Sequence, residues 1–198
     1  MTLLRILAAV RPALALLALL LLASPAAAAE NVGAGASMGF GFAAYHPAPG
    51  VGPRIALPAL EVAGAPGGTR EWQVRARFPL LNTIYAAALR QQLDLQADLF
   101  LLKLGQCDCP VGNHVIRPIA GPMVGARLNV APRVAQPGVA LGGRFGAEYV
   151  GPQRRIGFTL AAEPFFEVRG GTAGTGRSAF TVGGGALIVL ALTGYQAP

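Results

Sequence analysis

The sequence predicts an all-β protein, an antiparallel up-and-down transmembrane β-barrel of about eight strands that follows a cleaved amino-terminal signal peptide. The first observation behind this prediction is composition: 53% of the 198 residues are hydrophobic and 13% are charged, with 27 glycines and 16 prolines. Such a composition favours short strands joined by turns over long helices. The second observation is the strict alternation of apolar and polar residues in segments such as "IGFTLAAEPFFEVRG" (residues 156–170). The third is an export signal at the amino terminus.

The amino-terminal segment has the three-part plan of a secretory signal peptide. In "MTLLRILAAVRPALALLALLLLASPAAAAE", Arg5 and Arg11 precede an apolar run at residues 13–23, and small residues follow. The apolar core is short for a membrane span, which favours cleavage near Ala29 over an uncleaved anchor. No cysteine lies near this point, so a lipid-modified amino terminus is not expected. We therefore divide the chain into a signal peptide (residues 1–29) and a β-barrel (residues 30–198).

The charge of the chain does not indicate a nucleic-acid partner. The formal net charge is +7, and an excess of five positive charges remains once Arg5 and Arg11 are removed. However, Lys103 is the only lysine, and the arginines are scattered along the sequence. Nucleic-acid-binding surfaces concentrate basic residues in a run or a stripe, so this pattern argues against that class of partner.

Alternating segments recur along the mature chain, as expected when the side chains of a strand point to opposite faces in turn. In "EWQVRARFPL", for example, apolar residues at 72, 74, 76 and 78 alternate with polar residues at 71, 73, 75 and 77. The predicted strands cover residues 31–46, 54–63, 69–80, 91–105, 115–131, 137–150, 153–169 and 178–195. Turns rich in glycine and proline connect them. Residues 81–90 are compatible with either a strand extension or a short helix.

Prolines make the second and fifth predicted strands less regular than the others. Pro58 lies in the second strand, and Pro118 and Pro122 lie in the fifth. Proline has no N–H to donate to a neighbouring strand, and the faces assigned to these two strands are compatible with bulges at these positions.

Two architectures are compatible with these strands. A soluble barrel or sandwich buries the apolar face, whereas a membrane barrel turns that face to lipid and its polar face to the lumen. The polar faces are rich in glycine, including Gly39, Gly41, Gly142, Gly183 and Gly185. A water-exposed face gains nothing from missing side chains, but a narrow lumen needs the room. The glycines therefore favour the membrane barrel.

Charged residues on the polar faces nearly balance, as expected of a lumen in which an unpaired charge would cost several kcal/mol. The predicted lumen ion-pair network consists of Arg75, Arg77, Asp94, Asp98, Arg117, Arg127, Arg144, Glu148, Arg155, Glu163, Glu167 and Arg169. A two-residue turn at 151–152 would place Glu148 directly opposite Arg155. Similarly, Arg75 and Arg77 of the third strand are expected to meet the carboxylates of the fourth. Those carboxylates are Asp94 and Asp98.

Three aromatic residues fall at one end of the predicted barrel. Trp72, Tyr149 and Tyr195 are placed on the apolar face at the rim where the mature chain begins. Rings with a polar tip favour a membrane–water boundary, so we interpret them as membrane-rim aromatics. The alternative is that all three aromatic residues belong to the protein core.

The last predicted strand, "VGGGALIVLALTGY", looks like the carboxyl-terminal signal of bacterial outer-membrane barrels. The mature chain resembles the small eight-stranded outer-membrane β-barrels, such as the OmpA transmembrane domain and OmpX. It departs from them in carrying Tyr195 in place of the commoner phenylalanine, with further residues after it. The resemblance implies a location in the cell outer membrane, contact with its lipid, and handling by the barrel-assembly machinery. It also implies a side-chain-filled lumen, a structural or interaction role, and neither catalysis nor a cofactor.

Two other functions are open on the sequence alone. A soluble exported barrel similar to a lipocalin would line its cavity with the apolar faces and bind a hydrophobic ligand. A barrel enzyme acting on lipid would need a nucleophile and a base. The candidates are Ser37, Ser178, His46 and His114, and no carboxylate is clearly placed to orient His46.

The two cysteines lie close together in "GQCDCPVGNH", where Cys107 and Cys109 precede His114. Partners two residues apart form a strained disulfide ring. A site with three candidate ligands on one loop is weak support for a metal, and we expect none.

Overall fold

The chain folds as an all-β structure. In the computed structural model of the protein, the described residues are 32–46, 51–64, 71–84, 93–105, 109–111, 114–131, 134–151, 155–172 and 178–195. They form nine strands: β1 (Gly33–His46), β2 (Val51–Gly64), β3 (Trp72–Ile84), β4 (Leu93–Leu104), β5 (Cys109–Val111), β6 (His114–Ala131), β7 (Val134–Val150), β8 (Ile156–Thr172) and β9 (Ser178–Tyr195). Within these ranges there is no helix long and apolar enough to cross a membrane.

Eight long strands close into a ring in which every neighbouring pair is antiparallel. Their order around the ring is β1, β2, β3, β4, β6, β7, β8 and β9, and β9 pairs again with β1. The short β5 pairs with the first residues of β6. The predicted fold class, an antiparallel up-and-down barrel, is confirmed. We call the rim at which β1, β3, β6 and β8 begin the amino-terminal rim.

The strands are staggered, so a path along paired residues spirals up the barrel. The path runs from Gly35 through Glu61, Arg77, Asp98, Gly125, Ala140, Glu167 and Gly183 to Tyr45. It leaves β1 at residue 35 and returns at residue 45, a stagger of ten residues. Strand number and stagger together set the diameter, and eight strands enclose an interior that side chains can fill.

The two faces of the sheet differ in polarity, and the apolar one is outside. Eighteen large apolar side chains of the described residues are 37–65% exposed, and their positions alternate along the strands with buried ones. Phe158 and Leu160 of the alternating segment in β8 are among them. The charged residues at the alternate positions, such as Glu163, are on the other face of the sheet and are buried inside the ring. The apolar face that the sequence predicts for β8 therefore points away from the interior.

The observed strand limits lie within a few residues of the predicted ones. β3 continues to Ile84, so residues 81–84 extend a strand rather than begin a helix. Residues 85–92 lie outside the described part of the chain.

The prolines differ in their effect on strand register. The pairing of β1 with β2 shifts between Ser37 and Gly39, opposite the stretch that contains Pro58, so the second strand has a bulge there. By contrast, Pro118 and Pro122 keep a regular register with β7. A strand tolerates the missing donor without a shift where the remaining pairs hold the register on both sides.

Candidate functional site

Six arginines and five carboxylates alternate through the barrel interior as one connected series. In order from the amino-terminal rim they are Arg117, Glu148, Arg75, Glu61, Arg144, Glu163, Arg77, Asp98, Arg127, Glu167 and Arg169. We call this series the interior ladder. Its side chains are at most 4% exposed except that of Arg117, at 15%. Burial at this level requires that each charge meet a partner.

Glu148 is the centre of the cluster nearest the amino-terminal rim. Its carboxylate accepts hydrogen bonds from Arg75 Nη2 at 2.6 Å and from Arg117 Nε at 2.7 Å. The Tyr195 hydroxyl also donates to it, and Thr159 Oγ1 lies 3.3 Å away. Arg75 Nη2 in turn donates to the Tyr195 hydroxyl at 2.9 Å. The cluster therefore joins several strands through one carboxylate.

Arg144 and Arg77 form the middle of the ladder. Arg144 donates through Nη2 and Nη1 to the two Glu61 oxygens at 2.7 and 3.1 Å, and through Nε to Glu163 at 2.7 Å. Arg77 Nη1 donates to the other oxygen of Glu163 at 2.6 Å. The Phe100 ring packs against both guanidinium groups, and its centroid lies 4.2 Å from Arg144 Cζ and 5.1 Å from Arg77 Cζ. Charge-assisted and cation–π contacts thus fill the centre of the barrel.

Asp98 links the middle of the ladder to its far end. It accepts a hydrogen bond from Arg77 Nη2 at 2.8 Å, and its other oxygen accepts one from Arg127. Arg127 Nε donates to Glu167 at 3.2 Å, and Arg169 Nη2 donates to the second oxygen of Glu167 at 2.8 Å. The Arg127–Asp98 pair bridges β6 and β4, which are neighbours in the ring.

Two interior glycines make room for ladder side chains. A Cβ atom on Gly125 would collide with the Asp98 carboxylate and the Arg127 guanidinium, whose Cζ would be 3.0 Å away. A Cβ atom on Gly157 would lie 2.8 Å from Tyr195 Cε2 and 3.0 Å from Glu148 Oε1. At these positions a side chain of any size would displace an ion pair or its tyrosine partner.

The structure brings most of the predicted network together in the interior ladder, and Arg155 is not part of it. The Asp94 side chain lies outside the described part of the structure, and its backbone pairs with Asn129 of β6. Arg155 is exposed just before β8. The prediction that Glu148 lies opposite Arg155 is wrong, because the strand register places Thr159 there. The last β7–β8 pair is Val150 with Gly157, so the connection is longer than the two-residue turn that the prediction assumed.

The pairing predicted between the third and fourth strands is found for only one of the two arginines. Arg77 lies opposite Asp98 and binds it. Arg75 lies opposite Phe100, and its guanidinium crosses the interior to Glu148.

The three predicted rim aromatics do not share a face. Trp72 and Tyr149 point outward at the amino-terminal rim, and the Tyr149 ring stacks on His114 at 5.1 Å between centroids. Tyr195, however, is 7% exposed and points inward, so its assignment to the outer face is wrong. Tyr195 is separated from Gly183 and Gly185 by an even number of positions, so it lies on the same face of β9 as these glycines, which the sequence places on the inner face. A strand that keeps its two-residue period cannot turn Tyr195 outward.

Sequence reasoning missed Glu61 and Phe100. Glu61 is the one carboxylate in the apolar segment "RIALPALEV", and this isolation is a signal that could have found it. Phe100 lies two residues after Asp98 and therefore on the same, inner face of β4, whereas the sequence pattern predicts apolar residues on the outer face. It belongs to an interior apolar cluster of Ala43, Phe100, Leu102, Met123, Ala140, Phe165, Leu187 and Val189.

Among the candidate nucleophiles and bases of a barrel enzyme, Ser37 and His46 are not brought together, and the Ser178 side chain lies outside the described part of the structure. Ser37 is buried on the inner face of β1, while His46 is exposed at the other end of that strand. They are nine positions apart along the strand, a distance of roughly 30 Å. The hydroxyls of Ser37 and Thr193 have no hydrogen-bond partner among the described atoms.

Of the three loop residues considered as metal ligands, only the His114 side chain lies within the described part of the structure. No group of three or more His, Cys, Asp or Glu side chains suited to a metal occurs there. His114 instead meets the Tyr149 hydroxyl through Nδ1. Cys107 and the side chain of Cys109 lie outside the described part of the structure.

Comparison with known proteins assigns no family to the chain. No protein-family model matches it, and no curated protein matches it. Among solved structures, it is similar to a major outer membrane protein from Thermus thermophilus, with a TM-score of 0.39 and 14% sequence identity. The similarity covers 83% of this chain and 98% of that one.

Proposed function

We propose that the protein is an integral β-barrel of an outer membrane, with residues 1–29 as its export signal and an interior filled by side chains. Its direct partner on this proposal is membrane lipid, after insertion by the barrel-assembly machinery. The role is structural or one of interaction within the cell envelope, and no catalytic activity is expected.

One observation carries the proposal: apolar side chains face outward while arginines and carboxylates are buried inside. Soluble proteins rarely expose contiguous apolar patches larger than a few hundred Å². Removing one large apolar side chain from water contributes about 1.5–3 kcal/mol, so a hydrocarbon surrounding stabilises this outer face. A lipocalin-like carrier would need the same side chains to line its cavity.

A filled interior supports a structural role over a wide channel. Barrels with an aqueous channel have many more strands than the eight of this ring. The interior ladder crosses the ring repeatedly, and the buried side chains of Phe100 and Leu102 occupy space beside it. We therefore expect reconstituted protein to show little or no steady conductance in planar bilayers. Large open-channel currents would contradict the filled interior.

Membrane insertion can be tested separately from conductance. Trp72 is the only tryptophan, and it lies on the outer face. In lipid vesicles, the fluorescence of Trp72 should be quenched by lipids brominated on the acyl chain. In a separate fractionation of cells, the protein should stay with the outer membrane. Release of the protein by osmotic shock, with a Trp72 signal indifferent to brominated lipid, would reject the proposal.

A further inference from the structure

Lys103 is an exposed cation on the apolar outer face, close to the amino-terminal rim. It is the only lysine of the chain and the penultimate residue of β4. Its paired neighbours are Trp72 on β3 and Ala120 on β6, both on the outer face. The salt bridges of the described residues do not involve Lys103.

A lysine on a lipid-facing surface has one stable arrangement. Its alkyl stem lies along apolar surface while the ammonium reaches the polar boundary. Leu101, two residues along the same face, is 43% exposed and continues the apolar surface toward the barrel middle. The indole of Trp72 favours the same boundary, where its apolar ring and its N–H are both satisfied. The paired positions of Lys103 and Trp72 therefore set the ammonium at the level of lipid headgroups.

We propose that Lys103 and Trp72 form a headgroup site for an anionic phospholipid, in which the Lys103 ammonium contacts the phosphate and Trp72 packs against the adjoining glycerol region. The inference rests on the proposed membrane location. Charge complementarity selects the ligand, because a cation at this boundary that forms no salt bridge within the described structure meets anionic lipid in preference to zwitterionic lipid. One basic residue at an anionic surface enriches such a lipid about fivefold.

The test uses Trp72 as a built-in reporter next to the site. The mature protein is reconstituted in phosphatidylcholine vesicles that contain a small fraction of brominated lipid, either phosphatidylglycerol or phosphatidylcholine with the same acyl chains. We expect brominated phosphatidylglycerol to quench Trp72 as strongly as about a fivefold higher fraction of brominated phosphatidylcholine. Lys103→Gln should make the two lipids equivalent, Lys103→Arg should keep the preference, and Lys103→Glu should reverse it.

Arg155→Gln is the matched control, because Arg155 is another exposed cation at the same rim. It precedes β8, four strands from Trp72 in either direction around the ring, so its loss should leave the preference intact. Equal quenching by both lipids in the wild-type protein, or an equal loss of preference with Arg155→Gln, would overturn the headgroup site. If neither lipid quenched Trp72, the membrane location itself would fail, which is a separate outcome.

Discussion

Arg144 of β7 donates two hydrogen bonds to Glu61 of β2, a strand four positions away around the ring in either direction. The pair therefore spans the barrel and ties opposite walls together. Both side chains are at most 2% exposed, so neither can exchange its partner for bulk water. Removing one member of such a pair leaves an uncompensated charge in the interior.

Glu61→Gln should lower the free energy of unfolding by about 3 kcal/mol, toward the low end for a broken buried pair because Glu163 still binds Arg144. Urea unfolding in vesicles, followed by Trp72 fluorescence, measures the change. Glu71→Gln is the control, since it removes the same charge at an exposed position, where even an ion pair contributes at most about 1 kcal/mol. Equal losses in the two variants would argue that the Glu61 pair does not hold the walls together.

Gly125→Ala should destabilise the barrel by about 1–3 kcal/mol, because the added methyl group overlaps the Asp98–Arg127 pair. Gly170→Ala offers a matched control on β8, where a Cβ atom would meet nothing within 4 Å. The same unfolding assay compares them. If Gly125→Ala were as stable as Gly170→Ala, the space above Gly125 would not be filled by the ion pair.

Tyr195→Phe keeps the ring but removes the hydroxyl that donates to Glu148 and accepts from Arg75. The loss should be about 1–3 kcal/mol, since a buried charged group loses a hydrogen bond. Tyr149→Phe removes a hydroxyl on the outer face, bonded to His114, and should cost less than about 1 kcal/mol. Thermal or urea midpoints in detergent rank the two. The reverse ranking would place Tyr195 outside, as the sequence alone suggested.

Arginine substitutions on the outer face separate lipid from water as its surroundings. Ile188 lies in the middle of β9 and Ile156 at the start of β8, and both are more than half exposed. In vesicles, Ile188→Arg should cost about 2–4 kcal/mol and Ile156→Arg about 0–1 kcal/mol, because the cost of a charge falls toward the bilayer surface. A face bathed in water would tolerate both substitutions equally.

The face on which each side chain lies could be predicted from the sequence, because the alternation of faces along a strand depends only on neighbouring residues. Residues of one face recur every second position, so the outward direction of Phe158 and the inward direction of Glu163 follow from their neighbours. Tyr195 shows the limit of this reasoning. Its ring chemistry suggested the membrane boundary, but parity along β9 decided its direction.

The ion-pair partners could not be predicted in the same way. Which side chains meet across the interior depends on the ten-residue stagger of the ring, which no single strand encodes. Adjacent strands could be aligned well enough to pair Arg77 with Asp98. Contacts between distant strands, such as Arg75 with Glu148, required the closed ring.

The interior ladder begins and ends with arginine, so each of its carboxylates has an arginine on both sides. Loss of one arginine leaves the neighbouring carboxylates with their second partner, as Glu148 would keep Arg117 after loss of Arg75. The inner arginines likewise keep a second carboxylate when one is lost, but the charge balance of the ladder differs. Loss of one of the six arginines leaves five charges of each sign, whereas loss of one of the five carboxylates leaves six arginines against four acids. Tolerance to mutation should therefore be uneven, and a deep mutational library should retain changes at the arginines more often than at the acids.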